Sequence, residues 1–549
     1  MTIKFYFNTV RKLKFKQIFF QVLRRLYTPS IKENHSNPVL RKKIKNRDFL
    51  DYCQNQVSMT GPSDFIFFSQ KGNLTDLGWN APEMPKLWRY NLHYFNDLNA
   101  IDSKIRNKWH ENLVEEWINN NPKNSIGYEP YPLSIRIVNW IKWDLREKKL
   151  NLKARRSLFS QGVLLNKSIE YHILGNHLFA NAKALFFLGC YFDDPIALKW
   201  LNKSIKLLVN ELNEQVLEDG GNFELSTMYH CIFIQDLLDI LNVCRLYELN
   251  NTHALQKLLN NKIPKMLEWL NTMTFNDDEL TNFNDSASNI SPSPKKLKAY
   301  ASALQLNINK KYSKQNKDID FTYLKNSGYI NVKSKETKII IDLAKLGPDY
   351  LLAHGHADNL SFEMNHKDKH FFINSGTSTY ELNDRRAFER STMAHNTVEI
   401  NDKSSSEVWS SFRVAKRAYP IDLNINQIHS KLLNIQCSHD GYQKIIHNDI
   451  KHIRTWNVEP NVIKINDRVT GKYNKAISRF ILDPFVEIEK TGHNEFDLCN
   501  GHARLKFFIK EGTCQLVPWK CTKNFGKLES TKCFEIDIMD GESIVEIIS

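Results

Sequence analysis

The spacing of apolar residues changes once along this chain of 549 residues, and that change constrains the fold more than any other feature. From about residue 100 to 310, apolar residues recur at three- and four-residue steps, as in SIRIVNWIKWDL and ALKWLNKSIKLLVNEL. From about residue 319 onward they alternate with polar residues, as in KIIIDLA and CFEIDIMD. The first period is typical of amphipathic helices and the second of half-buried strands. The sequence therefore predicts a helical part followed by a large antiparallel β part.

These two periods predict an α+β multidomain protein. Repeated helical hairpins, separated by Gly-, Pro- and Asp-containing stretches, indicate helix pairs stacked into a ring or solenoid. The alternating segments indicate a sandwich of antiparallel sheets. We divide the chain into a basic segment at 1–50, a helical unit at 51–315 and a β unit at 316–549. The polar stretch NINKKYSKQNKD places the junction near 308–320.

The net charge of +14 belongs mainly to one end of the chain. Residues 1–50 contain 13 Lys and Arg but only 2 Asp and Glu, whereas the rest of the chain contains 62 and 59. The body is therefore close to neutral and shows no nucleic-acid-binding motif. We predict no nucleic-acid partner.

The basic segment begins MTIKFYFNTVRKLKFKQIFFQVLRRLYTP. It has only a short apolar run and no small-residue cleavage site, so we do not interpret it as a signal peptide. Its apolar and basic residues interleave, which is compatible with a cationic helix in peripheral contact with an anionic membrane. The interpretation that we favour from the sequence is a helix packed on the body with Lys and Arg facing water.

Nine scattered cysteines, with no C-x-x-C pair, predict no disulfide framework and favour a reducing compartment. Together with the basic segment, they favour a protein that is cytoplasmic or peripheral to the inner membrane over a secreted one. A periplasmic location stays open.

Two stretches of the helical half contain polar residues that could do chemistry. In ILGNHLFANAKAL, Asn176 and His177 begin an apolar helix, where an Asn could also act only as a cap. In LEDGGNFELSTMYHCIF, Glu224 and Tyr229 crowd the start of another helix, where the tyrosine could equally be a packing residue. Upstream, Arg136 lies on a helix with the pattern of a buried one, and a buried Arg requires an anion from the protein or a ligand.

The β half contains LLAHGHADNLSFEM, in which His354, His356 and Asp358 alternate and so share one face of an extended strand. This pattern is compatible with a metal site, with proton transfer or with a wet sheet face. The following loop-rich segment adds a cluster that suggests recognition of an acidic ligand: Tyr380, Arg385, Arg386, Arg390 and His395.

A metal site would use His356 and His395 as nitrogen ligands. A third, oxygen ligand would complete a zinc site. Asn374 is suitably placed in the sequence but is a neutral and weak ligand, and Asp358 is close to His356 on the same strand.

Taken together and in order, NHLFANAKAL, DGGNFELSTMYH, HGHADNLSFEM, NSGTSTYE and RRAFERSTMAHNTVEI resemble the heparinase II/III family of polysaccharide lyases. With WRYNLHYF and YPLSIRIVNW upstream, the resemblance covers roughly residues 85–420. It implies an N-terminal (α/α) toroid and a C-terminal antiparallel β-sandwich, in agreement with the change of period. It also implies β-elimination at the uronic acid of an acidic polysaccharide or oligosaccharide.

The resemblance also implies roles for individual residues. Asn176 is similar to the family's carboxylate-neutralising residue, with His177 beside it, and Tyr229 to the catalytic tyrosine that acts as base and also as acid. His354 resembles its partner across the cleft, and Tyr380 a proton donor or acceptor of some members. Substrate contacts are expected from Arg136, Glu224, Arg386 and Arg390. His356 and His395 match two ligands of one structural zinc, whose third ligand in the family is an aspartate where this chain has Asn374.

Two other functions remain open on the sequence. One is a non-catalytic glycan-binding or surface-polysaccharide assembly protein, which would be expected to lack one of the catalytic residues; none is missing here. The other is a hydrolase on a similar toroid, which needs two carboxylates ~5–10 Å apart across the cleft. Glu224 and Asp285 are the candidates for that pair.

Overall fold

The structure is a computed structural model that describes residues 2–32, 37–275, 278–307 and 318–549. Within these ranges the predicted order of helices followed by antiparallel sheets is confirmed. The helices are α1 (Thr2–Val10), α2 (Phe15–Leu26), α3 (Leu74–Leu77), α4 (Lys86–Tyr94), α5 (Asn107–Asn120), α6 (Pro130–Glu147), α7 (Leu152–Lys167), α8 (Gly175–Tyr191), α9 (Pro195–Gln215), α10 (Thr227–Tyr247), α11 (His253–Thr272), α12 (Pro294–Ala303), α13 (Asp384–Glu389) and α14 (Gly441–Ile445).

Helices α4 to α12 form the toroid, and α8 lies at its centre. Helix α8 packs against α6, α9 and α10, and nearly all of its residues are buried. Its sequence, LFANAKALFFLGCY, is apolar on all sides, as expected of a helix surrounded by other helices. The aromatic and aliphatic residues of these helices form one continuous core.

The named strands pair antiparallel throughout the described residues, with β1 and β2 forming a hairpin in the helical unit and the others lying in the β part. Their bounds are β1 (Asp64–Phe67), β2 (Gln70–Asn73), β3 (Ile319–Leu324), β4 (Tyr329–Ser334), β5 (Thr337–Asp342), β6 (Phe362–His366), β7 (Lys369–Phe372), β8 (Val398–Ile400), β9 (Val408–Trp409), β10 (Arg413–Val414), β11 (Pro420–His429), β12 (Leu432–His439), β13 (Lys451–Val458), β14 (Val462–Thr470), β15 (Ala476–Ile481), β16 (Glu487–Lys490), β17 (Glu495–Asn500), β18 (Ala503–Glu511), β19 (Thr513–Cys521), β20 (Glu529–Asp537) and β21 (Glu542–Ile548).

Three sheets build the β-sandwich. Strands β3 to β7 form a five-stranded sheet in sequence order. An eight-stranded sheet has the order β11-β12-β13-β14-β21-β18-β17-β16, and a four-stranded sheet the order β19-β20-β15-β8. Side chains from all three sheets meet in one apolar core, for example Phe362, Trp456 and Phe534. The alternating burial along β13 and β14 shows why the period of two appears in the sequence.

The junction between the two units falls between α12, which ends at Ala303, and β3, which begins at Ile319. Most of the predicted junction, residues 308–317, lies outside the described residues. The boundaries at 50/51 and 315/316 therefore stay predictions.

The basic N-terminal segment contains two helices, α1 and α2, where the sequence suggested one. Both pack on the body: Gln17 donates to the carbonyls of Ile173 in the toroid and Tyr350 in the β part. Among the described residues, no helix has the length and hydropathy that a membrane crossing requires.

Candidate functional site

A cleft with a volume of about 1030 Å³ runs between the toroid and the loops of the β part. The toroid contributes Asn176, His177 and Tyr229 to its lining, and the β part contributes His354 and Tyr380. The structure thus brings the five predicted catalytic residues, which lie far apart in the sequence, to one surface. Glu224, predicted to bind substrate, also lines the cleft.

Three of these side chains touch one another. The hydroxyl oxygens of Tyr229 and Tyr380 are 3.2 Å apart, and the rings of Tyr229 and His354 pack at a tilt of 31° with centroids 3.9 Å apart. Burial, followed by the nearby Tyr380 and Asp285, raises the pKa of Tyr229 well above its ordinary value. The phenol is therefore protonated in the free protein and is a proton donor in that state.

Tyr229 is positioned by the start of α10. The side chain of Ser226 caps this helix by accepting from the backbone N–H of Tyr229 at 3.2 Å. The chain reaches the cap through a tight turn at Gly220, whose φ is +92°. A Cβ at Gly220 would lie 2.3 Å from the carbonyl oxygen of Lys265, so only glycine fits this approach.

Asp285 is the hub behind the cleft surface. Its carboxylate lies 2.9 Å from Nδ1 of His354 and 2.9 Å from Nε2 of His356, and it forms a two-point ion pair with Arg386. Burial alone would raise the pKa of Asp285, but Arg386 and the two imidazoles hold it well below its ordinary value. The ionised carboxylate of Asp285 accepts a hydrogen bond from Nδ1–H of His354. This leaves Nε2 of the same ring without a proton and able to accept one.

Asn176 and His177 lie in the first turn of α8. The N-cap residue is Leu174, with a φ of +71°, so Asn176 does not cap the helix. The side-chain amide of Asn176 lines the cleft, forms no hydrogen bond with any described residue and is available to a ligand. Nδ1 of His177 is 3.1 Å from Glu170, and its ring stacks on Tyr131 at 4.3 Å between centroids.

Glu224 lies between the two halves of the site. Its Oε2 is 3.7 Å from Nε2 of His354, and the backbone N–H of Asn176 interacts with its carboxylate. Burial outweighs these favourable neighbours and raises the pKa of Glu224. A protonated Glu224 could donate a hydrogen bond to an anion in the cleft.

The three arginines predicted to bind substrate do not line the cleft, and this corrects the sequence analysis. Arg136, Arg386 and Arg390 are at most 1% exposed. Arg136 donates to the carbonyl of Gly127 at 2.8 Å, and Arg390 to that of Gly355 at 2.9 Å. Asp285 and backbone carbonyls occupy the guanidinium groups of Arg386 and Arg390, whereas Arg136 uses Nε and Nη1 within the protein and leaves its buried Nη2 without a partner in the described residues.

The predicted metal ligands are also already engaged. Nδ1 of His356 lies 3.2 Å from Nε2 of His395, whose Nδ1 bonds to the carbonyl of Ser391 at 2.8 Å. The side-chain oxygen of Asn374 accepts from the Ser361 hydroxyl at 2.7 Å. No three His, Cys, Asp or Glu side chains are grouped for a metal anywhere in the described ranges. Two imidazoles and a neutral amide lack the anionic third ligand, so these residues do not fit an ordinary structural zinc site.

Residues 354–358 lie in a loop before β6 and not on the extended strand that the sequence suggested, and the Asp358 carboxylate accepts from the backbone N–H of Asn284 at 3.2 Å. It thereby holds the loop that carries Asp285. Sequence reasoning missed the hub role of Asp285, which it weighed only as one carboxylate of a hydrolase. It also missed Glu170, although this residue precedes Asn176 by only six positions.

The profile described as "Heparinase II/III N-terminus" matches residues 98–312, and "Heparinase II/III-like, C-terminal" matches residues 316–532. Together they cover most of the chain. The chain belongs to the heparinase II/III family. The family resemblance inferred from the motifs is thereby confirmed.

Curated relatives of this heparinase II/III protein include the heparin-sulfate lyase of Bacteroides stercoris, 28% identical over 253 residues, which are 44% of this chain and 38% of that protein. The heparin-sulfate lyase of Bacteroides thetaiotaomicron is 24% identical over 346 residues, 55% of this chain and 49% of that protein. The chain thus matches about two-fifths to half of the length of these relatives.

Solved structures show the same fold. A crystal structure of heparinase III has a TM-score of 0.66 at 20% identity, covering 83% of this chain and 76% of that chain. Heparan sulfate lyase HepC from Pedobacter heparinus has a TM-score of 0.56 at 16% identity, covering 97% and 87%. The predicted (α/α) toroid followed by an antiparallel β domain is confirmed.

Proposed function

We propose that the protein is a polysaccharide lyase that cleaves an acidic, uronic-acid-containing polysaccharide by β-elimination, a carbon–oxygen lyase acting on polysaccharides. The observation that carries the proposal is the single cleft onto which Asn176, Tyr229, His354 and Tyr380 face, the last three in mutual contact. The names of the curated relatives, heparin-sulfate lyases, support the same reaction class.

The reaction must first make the C5 proton of the uronate removable. Negative charge builds on the neighbouring carboxylate as an enolate, so that group has to be neutralised by fixed donors. The available amide of Asn176 is one donor in this proposal. Glu224 is the second donor in this proposal when it is protonated, a form that burial favours by raising its pKa.

Proton transfer is assigned to Tyr229 and His354, whose rings are in contact. Asp285 holds Nδ1–H of His354, so Nε2 of His354 can take the C5 proton. The protonated Tyr229 then donates its proton to the departing O4, and Tyr380, 3.2 Å away, relays a proton from solvent back to Tyr229 while His354 releases the C5 proton to solvent. The family resemblance implies that the tyrosine acts both as base and as acid. In this proposal Tyr229 acts only as the acid, because its raised pKa keeps the phenol protonated and opposes a role as base.

The substrate class includes glycosaminoglycans, alginate and bacterial surface polysaccharides. We favour a surface polysaccharide or its lipid-linked precursor, because the basic segment at 1–50 suits a protein that works at the periphery of the inner membrane.

The hydrolase alternative requires two carboxylates that act on the sugar, and Asp285 cannot be one of them. Asp285 is wholly buried and ion-paired with Arg386, so it cannot exchange protons with a sugar. The non-catalytic glycan-binding alternative is separated from the lyase by measurement of turnover.

The deciding experiment follows ultraviolet absorbance over time with a panel of uronic-acid polymers. The C4–C5 double bond formed by elimination, conjugated to the carboxylate, absorbs where the substrate does not. Tyr229→Phe should lower the rate by about 10²–10⁴-fold, the usual contribution of a general acid or base. Tyr473→Phe is the matched control: it also removes one tyrosine hydroxyl, which donates to the Ile538 carbonyl in the β part. A flat trace on every polymer, with binding on a glycan array, would favour the binding-protein alternative.

A second substrate distinguishes the acid role of Tyr229 from a base role. With a C4 leaving group that needs no protonation, such as fluoride, Tyr229→Phe should recover most of the native rate. His354→Ala should stay inactive on that substrate, because the C5 proton still has to be removed. Equal loss in both variants would refute the assignment of Tyr229 as the acid.

A further inference from the structure

Helices α1 and α2 present their apolar side outward. Asn8 and Gln17 are buried against the body, while Phe7 is 66% exposed, Phe15 is 81% exposed and Leu26 is 80% exposed. In a soluble protein, a surface helix normally buries its apolar stripe and exposes its polar one. Both helices show the reverse arrangement, which corrects the expectation of Lys and Arg outward with apolar residues inward.

Polar groups hold this reversed orientation. Besides the two bonds from Gln17, the hydroxyl of Thr9 lies 3.2 Å from the carbonyl oxygen of Val414 and accepts from the indole N–H of Trp409 at 3.2 Å. Lys14 forms an ion pair with Glu214 and lies over the ring of Tyr350. The helices are therefore docked on both units of the protein through these polar groups together with Phe5 and Phe20, which pack on Trp409 and Tyr171, while most of the apolar side stays outward.

The outward side of α1 and α2 is rich in exposed apolar side chains. Eleven of the 27 large apolar side chains that are exposed in the described residues lie within the first 27 positions. We call the following group the α1–α2 face: Ile3, Tyr6, Phe7, Val10, Phe15, Ile18, Phe19, Val22, Leu23, Leu26 and Tyr27. A contiguous exposed apolar patch of this kind marks an interaction surface.

Basic residues border this face. Lys4, Arg11, Lys16 and Arg25 are all exposed, and residues 1–50 hold 13 basic against 2 acidic side chains. Apolar side chains flanked by Lys and Arg match the boundary between acyl chains and anionic headgroups. A second copy of this chain would bring two equally basic segments together, so charge repulsion opposes self-association through the same face.

We propose that the α1–α2 face docks the protein on a membrane that contains anionic phospholipid. The apolar side chains enter the headgroup–acyl boundary, and the flanking Lys and Arg contact phosphate groups. Docking requires no refolding, because the polar side of the helices already holds them on the body.

The same helix reaches the candidate site. Arg24 in α2 lies 2.8 Å from Nε2 of His172 and 3.9 Å from Glu170, which in turn pairs with His177 at 3.1 Å. Docking therefore places the cleft beside the bilayer and suits a polysaccharide that is assembled or anchored there. This last consequence rests on the proposed lyase function, whereas docking itself does not.

The test is co-sedimentation of the full chain with vesicles of phosphatidylcholine alone and with an equimolar mixture of phosphatidylcholine and phosphatidylglycerol. The native protein should bind the mixed vesicles, bind neutral vesicles more weakly, and lose affinity as salt is raised. The combined variant Phe15→Ser, Phe19→Ser and Val22→Ser should bind at least about tenfold more weakly, because three side chains no longer leave water.

Phe485→Ser is the matched control, since Phe485 is 67% exposed but lies in the β part. It should bind like the native protein. The triple variant should keep the native melting temperature, because the three side chains are exposed on the α1–α2 face.

Equal vesicle binding by the native protein and the triple variant would overturn the proposal, as would binding of neither vesicle type. A native oligomer that the triple variant converts to a monomer, without vesicle binding, would also overturn it in favour of self-association. Turnover of a polymer is measured separately, so loss of vesicle binding with activity retained leaves the lyase proposal standing.

Discussion

Replacing Asp285 by asparagine tests the hub of the site. Asp285 is fully buried and ion-paired with Arg386, which is also fully buried. The Asp285→Asn change leaves this guanidinium without its counter-charge, and breaking a buried ion pair in this way costs about 3–5 kcal/mol of stability. The change also removes the carboxylate that fixes Nδ1–H of His354, so that Nε2 is no longer held as the acceptor. The corresponding change in a Ser-His-Asp triad lowers kcat by on the order of 10⁴-fold.

The β-sandwich offers a matched control for the loss of stability. Asp467 accepts from Nε2 of His452 at 2.8 Å and forms a two-point ion pair with Arg454, and all three side chains are at most 1% exposed. This group does not line the cleft. Asp467→Asn should therefore lose a similar amount of stability while each folded molecule keeps the native rate.

The assay combines denaturant unfolding with initial rates of ultraviolet absorbance, measured where both variants are folded. Asp285→Asn is expected to lose both stability and rate, and Asp467→Asn stability alone. A folded Asp285→Asn protein with a rate within a few-fold of the native one would refute the role of Asp285 in orienting His354. An equal loss of rate in Asp467→Asn would show that the effect comes from general destabilisation.

Three further predictions concern separate parts of the molecule. Although burial opposes it, hydrogen bonds from His110 and Arg106 among others lower the pKa of Asp97 to about 2, so this carboxylate contributes stability above its unfolded pKa of 3.8. That contribution, about 2 kcal/mol, should be lost as the pH falls from 4 to 2, and melting curves of Asp97→Asn should lack this part of the acid dependence. Asn374→Asp supplies the missing anionic ligand and should raise the zinc bound per chain, as measured by elemental analysis after metal loading; an unchanged content would contradict this. Tyr380→Phe removes the hydroxyl beside Tyr229 and should slow turnover without changing the denaturation midpoint, and an unchanged rate would remove Tyr380 from the proton path.

The fold class could be predicted because local backbone geometry sets the apolar period. The segment LFANAKALFFLGCY could be predicted as a buried helix, and the alternating run in β13 could be predicted as a strand. The residues of the cleft could be found where chemistry-bearing side chains are close in sequence, as Asn176 and His177 are. Asp285 could not be recognised as a hub, because its partner His354 is 69 positions away and no local pattern joins them.

The direction in which a side chain points depended on groups from distant segments. The sequence indicated that Arg136, Arg386 and Arg390 required acceptors, but only the packed structure supplied them from backbone carbonyls and Asp285 instead of a ligand. The same holds for the N-terminal helices. Their sequence determined which residues share a face, because 3.6 residues make one helical turn. The carbonyls of Ile173 and Tyr350, which only tertiary structure brings together, decided that the polar face meets the body and the apolar face points outward.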